Sequence, residues 1–198
     1  MTPGEPMIYE SIIKRRTIRK FTQQPIAPEI LQKCVDAARL SPSGMNYQPL
    51  KYLVITESKL LPKVFSTLTW ARNIPGYSHA PNEVPTAYII ILVDTTIRER
   101  SGNDSGIAAM SISMVAHEAG LGSCMLGSVD RPQLKKKLQI PDHLQVLLVV
   151  ALGYPQEQSK AIELNGRDTR YWFDNLGILN VPKRQLKDIL IWNTFNEY

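Results

Sequence analysis

Residues 14–20 read KRRTIRK, five cations in seven positions directly behind an apolar opening. A tract this basic suits a nucleic-acid backbone, an anionic membrane surface or one phosphate of a small ligand, and the rest of the chain has to choose among them. Upstream, in PMIYESIIKRR, Ile8, Ile12 and Ile13 recur at near-helical spacing. That spacing predicts a short helix that delivers the basic residues at its end, after which the run continues as extended chain.

The bulk properties describe an ordinary globular protein. A chain of 198 residues suits one domain with a substantial core, and 43% hydrophobic with 21% charged residues argues against disorder. A net charge of +5 favours anionic partners without requiring nucleic acid. Cys34 and Cys124 show no CxxC spacing and no adjacent histidine, so buried, reduced thiols are expected rather than a zinc site or a disulfide framework. The opening lacks a cationic region followed by a long apolar stretch, and no apolar run reaches the roughly 18 residues that span a bilayer. The expectation is a soluble, cytoplasmic protein with no membrane partner.

Along the chain, Pro28 heads PEILQKCVDAARL, whose Ile30, Leu31, Cys34, Val35 and Ala38 form an apolar stripe, so a helix is predicted to stop before Pro42. YLVIT and AYIIILVD read as buried strands, with a helix around residues 60–68 between them. Residues 69–85, TWARNIPGYSHAPNEVP, are the least regular stretch, and both a lid and a plain surface connection fit them. DSGIAAMSISMVAHEAG is small or apolar around nearly its whole circumference, with Asp104 or Ser105 as cap. Such a helix is expected to be buried on every side, in a domain centre or, by preference, a subunit interface. SCMLGSV reads as a strand and turn, DRPQLKKKLQI as a capped helix, and LQVLLVVALGYP as a buried strand. The later stretch is polar overall but carries Trp172, Phe173, Leu176, Ile178, Leu190 and Ile191, too much apolar surface for a free tail.

Several chemistries lose their usual support. His79, His117 and His143 stand neither in HExxH nor beside the cysteines, so no metal site is expected, and GxGxxG, GxxxxGK[ST] and GxSxG are all missing. What remains is a set of polar turns that expose backbone. SPSGMNYQP, residues 41–49, offers Pro42, Ser43, Gly44, Asn46 and Gln48, and an amide side chain presents both a donor and an acceptor to the edge of a heterocycle. A structural turn rich in proline and glycine explains the same letters. GLGSCMLGS places glycines where a backbone can approach a flat ring.

Taken together, the tract and these turns resemble the nitroreductase family of FMN-dependent oxidoreductases. Arg15, Arg16, Thr17, Arg19 and Phe21 match that family's opening pattern Arg-Arg-Ser-x-Arg-x-Phe. ARLSPSGMNYQPLKYLVI is similar to its Ser-Pro-Ser turn followed by Asn-x-Gln-Pro and a strand, GLGSCMLGSV to the stretch beneath the flavin, and VPKRQL to its C-terminal basic pair. The chain departs from the pattern in Thr17 for the commoner serine, in Gly44 and Met45, and in an MLGS segment without the Glu-Gly pair of some members.

The resemblance implies an α+β fold, a mixed and mainly antiparallel sheet flanked by helices, assembled as an intertwined homodimer. Residues 1–198 would form one FMN-binding domain, with about 156–198 packing on the partner subunit. Arg15, Arg16, Lys183 and Arg184 would neutralise the FMN phosphate with Thr17 adding a hydroxyl, and Arg19 would face the N1 and O2 region of the flavin. Pro42, Ser43, Gly44, Asn46 and Gln48 would touch ribityl and ring atoms, partly across the subunit boundary, and Met125, Leu126 and Gly127 would bring backbone amides to N5 and O4. A hydride would pass from NADH or NADPH through N5 to a small acceptor such as a nitroaromatic or quinone in a ping-pong cycle, with no catalytic side chain. Trp70, Tyr77 and His79 would line the substrate face. Rival readings are a specialised flavoenzyme of the same fold (a reductive dehalogenase or a flavin-destroying type), a protein that stores FMN without turnover, and a nucleic-acid-binding module. The last is disfavoured because no aromatics interleave the basic tract.

Overall fold

The computed structural model of the protein describes residues 8–195. Helix α1 (Ile8–Lys14) hands the basic residues to an extended segment, and helix α2 (Pro28–Leu40) begins on its proline. Then follow strand β1 (Leu50–Ile55), helix α3 (Leu61–Phe65), strand β2 (Ala87–Asp94), helix α4 (Asp104–Glu118) and strand β3 (Gly122–Leu126). Helix α5 (Arg131–Leu138) and strand β4 (Leu144–Gly153) complete the main body. The later stretch forms strands β5 (Ser159–Glu163), β6 (Trp172–Phe173) and β7 (Leu179–Lys183).

The main sheet has the order β1-β2-β4-β3 with every neighbouring pair antiparallel. β2 is buried along its whole length, which is why AYIIILVD is apolar at nearly every position rather than at alternate ones. Ala87, Ile89 and Ile91 pack under α2 and α4 together with Val150 and Leu152 of β4. Tyr88, Ile90 and Leu92 face the other side, where Val149, Ala151, Cys124, Leu126 and Leu134 close a second core. Successive side chains of a strand point to opposite faces, so one apolar run supplies both cores. α3 is shorter than the sequence suggests, because Thr67 and Leu68 turn off to pair with the segment around Val129.

α4 differs from expectation at its cap, and within one chain it is covered on only part of its circumference, which excludes the domain-centre alternative and leaves the interface alternative open. Its inner side, with Ala108, Ala109, Ile112 and Ala116, is buried against α2 and the sheet, but Gly106 and Ile107 are exposed, so the helix is not covered all round within one chain. Asp104 does not cap it; Asn103 precedes the first turn, and the buried Asp104 carboxylate accepts hydrogen bonds from the turn before β1 instead. Asp130 does cap α5, accepting from the Gln133 N–H at 3.1 Å. Both cysteines are free and buried, and burial pushes each thiol up to about 11, so neither is a thiolate at neutral pH.

β5, β7 and β6 form a separate sheet in that order, β5 parallel to β7 and β6 antiparallel to it. Leu179 is buried there, while Leu176, Leu186, Ile189, Trp192 and Phe195 remain exposed.

The basic segment is bound to the end of the main sheet by two close crossings. Thr17 bridges Ser123 of β3 in parallel, and the Ile18 N–H donates to the Ser123 carbonyl at 3.0 Å. Phe21, wholly buried, bridges Pro155 just beyond β4. A Cβ on Gly122 would stand 2.7 Å from Ile18, and one on Gly153 would stand 2.8 Å from Phe21, so only glycine fits beneath the segment at either point. Gly122→Ala and Gly153→Ala are each expected to destabilise the fold by about 1–3 kcal/mol through overpacking. Gly127→Ala, whose new atom meets nothing nearer than 3.9 Å, should stay within about 0.5 kcal/mol; urea unfolding midpoints decide.

Candidate functional site

The crossing decides where the cations go. Arg15 and Arg16 follow α1 directly, and both are half-buried. The Nε atoms of both are buried with no hydrogen-bond partner. Burial lowers the Arg15 pKa, with the neighbouring Arg16 charge adding to it, and burial alone lowers that of Arg16. Two adjacent guanidiniums, desolvated and without an acceptor, form an incomplete electrostatic arrangement that a phosphate dianion would complete with bidentate, charge-assisted bonds.

Arg19 is held differently. Its guanidinium lies over the Tyr171 ring, 4.9 Å from the centroid, and its carbonyl accepts from His79 Nε2 at 2.8 Å. His79 belongs to the irregular segment of residues 69–85 and is the centre of an aromatic cluster. Its ring lies 4.7 Å from Trp70, 5.1 Å from Tyr77 and 5.2 Å from Phe65. The segment is therefore packed over the basic tract rather than being a loose surface connection. The Trp70 Nε1 and Tyr77 hydroxyl are buried there without partners, two donors available to a bound molecule.

Strand β3 brings Met125, Leu126 and Gly127 beyond Thr17 along the same edge. Met125 and Gly127 are exposed and Leu126 is buried. The Gly127 carbonyl accepts from Arg131, whose guanidinium also reaches the carbonyls of Val146 and Leu147. The turn after β3 is thereby tied to β4.

Ser43, Gly44, Asn46 and Gln48 lie elsewhere. The Ser43 hydroxyl donates to Asp104 at 2.7 Å and accepts from the Gln48 N–H at 3.0 Å, and the Gly44 N–H donates to Asp104 at 3.1 Å. Pro42 is exposed beside them. Met45, Asn46 and Gln48 all adopt positive φ, of 51°, 56° and 51°. Such backbone costs non-glycine residues of order 1–3 kcal/mol and collects at functional sites. This turn enters β1 at Leu50, in the row of Val93, whereas the tract joins β3 at Ser123, in the row of Leu152 and Ala87. These anchors are diagonal corners of the sheet, roughly 25 Å apart at ordinary strand rise and spacing.

No hydrogen bond or ion pair among the described residues joins Lys183 or Arg184 to one site with the opening arginines. β7 pairs with β5 so that Lys183 stands opposite Glu163, and both cations are exposed beside a concavity lined by Ala161, Ile162 and Leu186. Sequence reasoning missed two contacts: Asp104 accepting from Ser43 and Gly44, and Glu157 Oε1 accepting from the Arg19 N–H. Asp104 was open to reading only as a helix cap, and nothing in the letters around Glu157 marks it.

The carbonyl of Arg19 can only accept, so His79 carries its proton on Nε2. Burial lowers its pKa, offset in part by that hydrogen bond and by the charge of Glu83. A lowered histidine pKa stabilises the fold at pH above the unfolded value near 6.5, a contribution lost as pH falls through the lower folded value. Ring-nitrogen chemical shifts are expected to show the Nε2–H tautomer at neutral pH and a titration midpoint below that ordinary value.

Comparison with known proteins shows the family to which the chain belongs. Residues 12–154, well over half of the chain, match the nitroreductase family. A protein of Methanothermobacter thermautotrophicus, provisionally named NADH dehydrogenase/NAD(P)H nitroreductase, is 29% identical over 157 residues, 76% of this chain and 78% of its own. An iodotyrosine deiodinase of Thermotoga neapolitana is 24% identical over 181 residues, 83% of this chain and 97% of its own. An NAD(P)H-dependent FMN reductase of Bacillus subtilis is 25% identical over 167 residues, 77% of this chain and 67% of its own. Among solved structures, a nitroreductase family protein of Clostridium novyi NT superposes with a TM-score of 0.64 at 28% identity, covering 76% of this chain and 86% of that one. The chain is a member of the nitroreductase family.

Proposed function

We propose that the protein is an NAD(P)H-dependent FMN oxidoreductase whose cofactor site is completed by a second copy of the chain. The observation that carries this reading is the pair of partnerless, half-buried guanidiniums of Arg15 and Arg16. A dianionic phosphate fits them, and the FMN reductase relative supports a flavin phosphate as its source. When bound, FMN supplies two-electron chemistry, taking a hydride from NADH or NADPH and delivering it to an acceptor such as a nitroaromatic or quinone in successive half-reactions.

The chain's own residues bind and orient. Arg15 and Arg16 hold the phosphate, Thr17 adds its hydroxyl, and Arg19 places a cation near the ring system. The edge of β3 at Met125, Leu126 and Gly127 offers main-chain groups beside the tract, and Trp70, Tyr77 and His79 shield the same end of the sheet from water. Ser43, Asn46 and Gln48, at the opposite corner, serve the site of a partner chain. The exposed flank of α4 and the exposed apolar residues of α1 (Ile8, Tyr9, Ile12, Ile13) give that partner a surface to cover. The stretch 156–198 packs on the same partner through residues such as Leu190 and Trp192, bringing Lys183 and Arg184 with it, so that 1–198 acts as one domain of an intertwined homodimer. Among the described residues no helix is long and apolar enough to cross a membrane.

Reductive dehalogenation remains the second reading because of the deiodinase relative. Against it, Glu83 of the 69–85 segment is paired with Lys20 and the segment's aromatics pack on one another, so they are not free to clamp a zwitterionic substrate.

The chain reconstituted with FMN is expected to keep an oxidised-flavin spectrum that NADH or NADPH bleaches anaerobically. Arg15→Ala and Arg16→Ala should each weaken FMN roughly tenfold to a hundredfold, the worth of a charge-assisted bond pair, while leaving riboflavin affinity unchanged. Equal losses for FMN and riboflavin would remove the phosphate from these arginines.

A further inference from the structure

Both backbone polar groups of Arg19 are taken by side chains from distant parts of the chain. His79 holds its carbonyl, and its N–H donates to Glu157 Oε1. The same oxygen accepts from the Lys20 N–H at 3.3 Å. Glu157 follows Pro155, which bridges Phe21, so the carboxylate comes from the chain just past the Gly153 crossing.

A charge is not needed merely to keep the segment on the sheet. Main-chain bonds from Thr22 to Tyr154 at 2.8 Å and from Gln156 to Lys20 at 2.9 Å already do that. Glu157 is instead costly to the fold. It is half-buried, its Oε2 is buried with no partner, and an unsatisfied buried acceptor costs about 1–3 kcal/mol. A group that costs stability and grips two successive amides is explained by what the grip does. Two neighbouring N–H groups converging on one anion fix the peptide plane between them, and with it the direction in which the segment carries its cations.

We propose that Glu157 is a positioning residue of the cofactor site, its ionised carboxylate clasping the Arg19 and Lys20 amides so that the tract is pre-shaped for FMN. The proposal rests on the reading of this tract as the FMN site. The charged and titratable groups around the carboxylate are Arg19 and Lys20 of the tract, Tyr77 of the covering segment and Cys124 of β3. Glu83 faces it through Lys20, which it pairs at 2.9 Å. Burial raises the Glu157 pKa; the two amide bonds and the two cations pull it back only partly.

The sign of that shift separates binding from folding. A carboxyl whose folded pKa is raised stabilises the fold below its unfolded value, near 4.3, and loses that contribution as pH rises through the folded value. The clasp behaves oppositely, because it needs the ionised form and is present at neutral pH and lost on acidification. Glu157→Gln keeps the shape and removes the charge.

FMN dissociation constants of wild type and Glu157→Gln, measured by flavin fluorescence between about pH 5 and pH 8, test this. The variant is expected to bind roughly tenfold more weakly at the upper end, with the ratio shrinking towards one on acidification. Titration of the FMN phosphate and of His79 is common to both proteins and cancels in the ratio. The apo variant should melt no lower than wild type at neutral pH. A ratio of one throughout, or a pH-independent ratio accompanied by a lowered melting temperature, overturns the proposal. A second measurement needs no variant: the Arg19 and Lys20 amide shifts of the apo wild type should titrate together, with a midpoint above the ordinary glutamate value, and amides that titrate separately or not at all overturn the clasp. Wild type that binds no FMN at any pH overturns the tract reading itself, which distinguishes that failure from failure of the clasp alone.

Discussion

Ile18 and Phe21 cross the end of the main sheet over Gly122 and Gly153 at distances that leave no room for a side chain. Arg15, Arg16 and Arg19 have their positions only because that crossing holds the segment between them and the sheet. Arg15 and Arg16 are carried by it, half-buried, their Nε atoms without hydrogen-bond partners, while Arg19 lies over the Tyr171 ring. A core that packs on both faces of β2 is rigid enough to impose this on the tract, because buried strands paired on both sides have no freedom to slide. Stability and recognition are thus divided between residue types: Gly122 with Ile18 and Gly153 with Phe21 fix the geometry, and the neighbouring arginines are the groups proposed to bind the phosphate.

The same sheet separates the two polar surfaces that a flavin would need. The turn with Ser43, Asn46 and Gln48 holds positive φ and is braced by Asp104, yet it lies at the opposite corner of the sheet from the arginines of its own chain. In the function proposed above, strained backbone and unmatched charge at opposite corners would be two half-sites, each incomplete alone. A two-fold dimer brings unlike corners together, since in such an interface patch A meets patch B twice. The uncovered flank of α4 and the exposed apolar residues of α1 are the surface that the proposed dimer would cover.

Much of this was legible in the letters because local rules govern it. Pro28, Asp130 and the apolar run of β2 announce a helix start, a cap and a doubly buried strand by mechanisms that act within a few residues. The tract and the Ser-Pro-Ser turn were recognisable as a constellation only through their joint resemblance to the nitroreductase family. What stayed hidden depends on contacts between remote segments. Asp104 looks like a cap because Asp suits that role, and only the approach of Ser43 reveals its other use. Glu157 and Tyr171 lie in a polar stretch with no periodicity to single them out, and their significance appears when Arg19 arrives beside them. The placement of Lys183 opposite Glu163 has a similar cause: strand pairing between β5 and β7 decides it, and register is not written in composition.

Complementation between two defective chains tests the central claim most directly. One chain carries Arg15→Ala with Arg16→Ala, the other Asn46→Ala with Gln48→Ala, and each alone should bind FMN weakly. Co-expressed, they are predicted to recover tight binding, because a mixed dimer unites the intact tract of one chain with the intact turn of the other. Recovery of none, with mixed dimers present, would show that a single chain builds its whole site and would contradict the account.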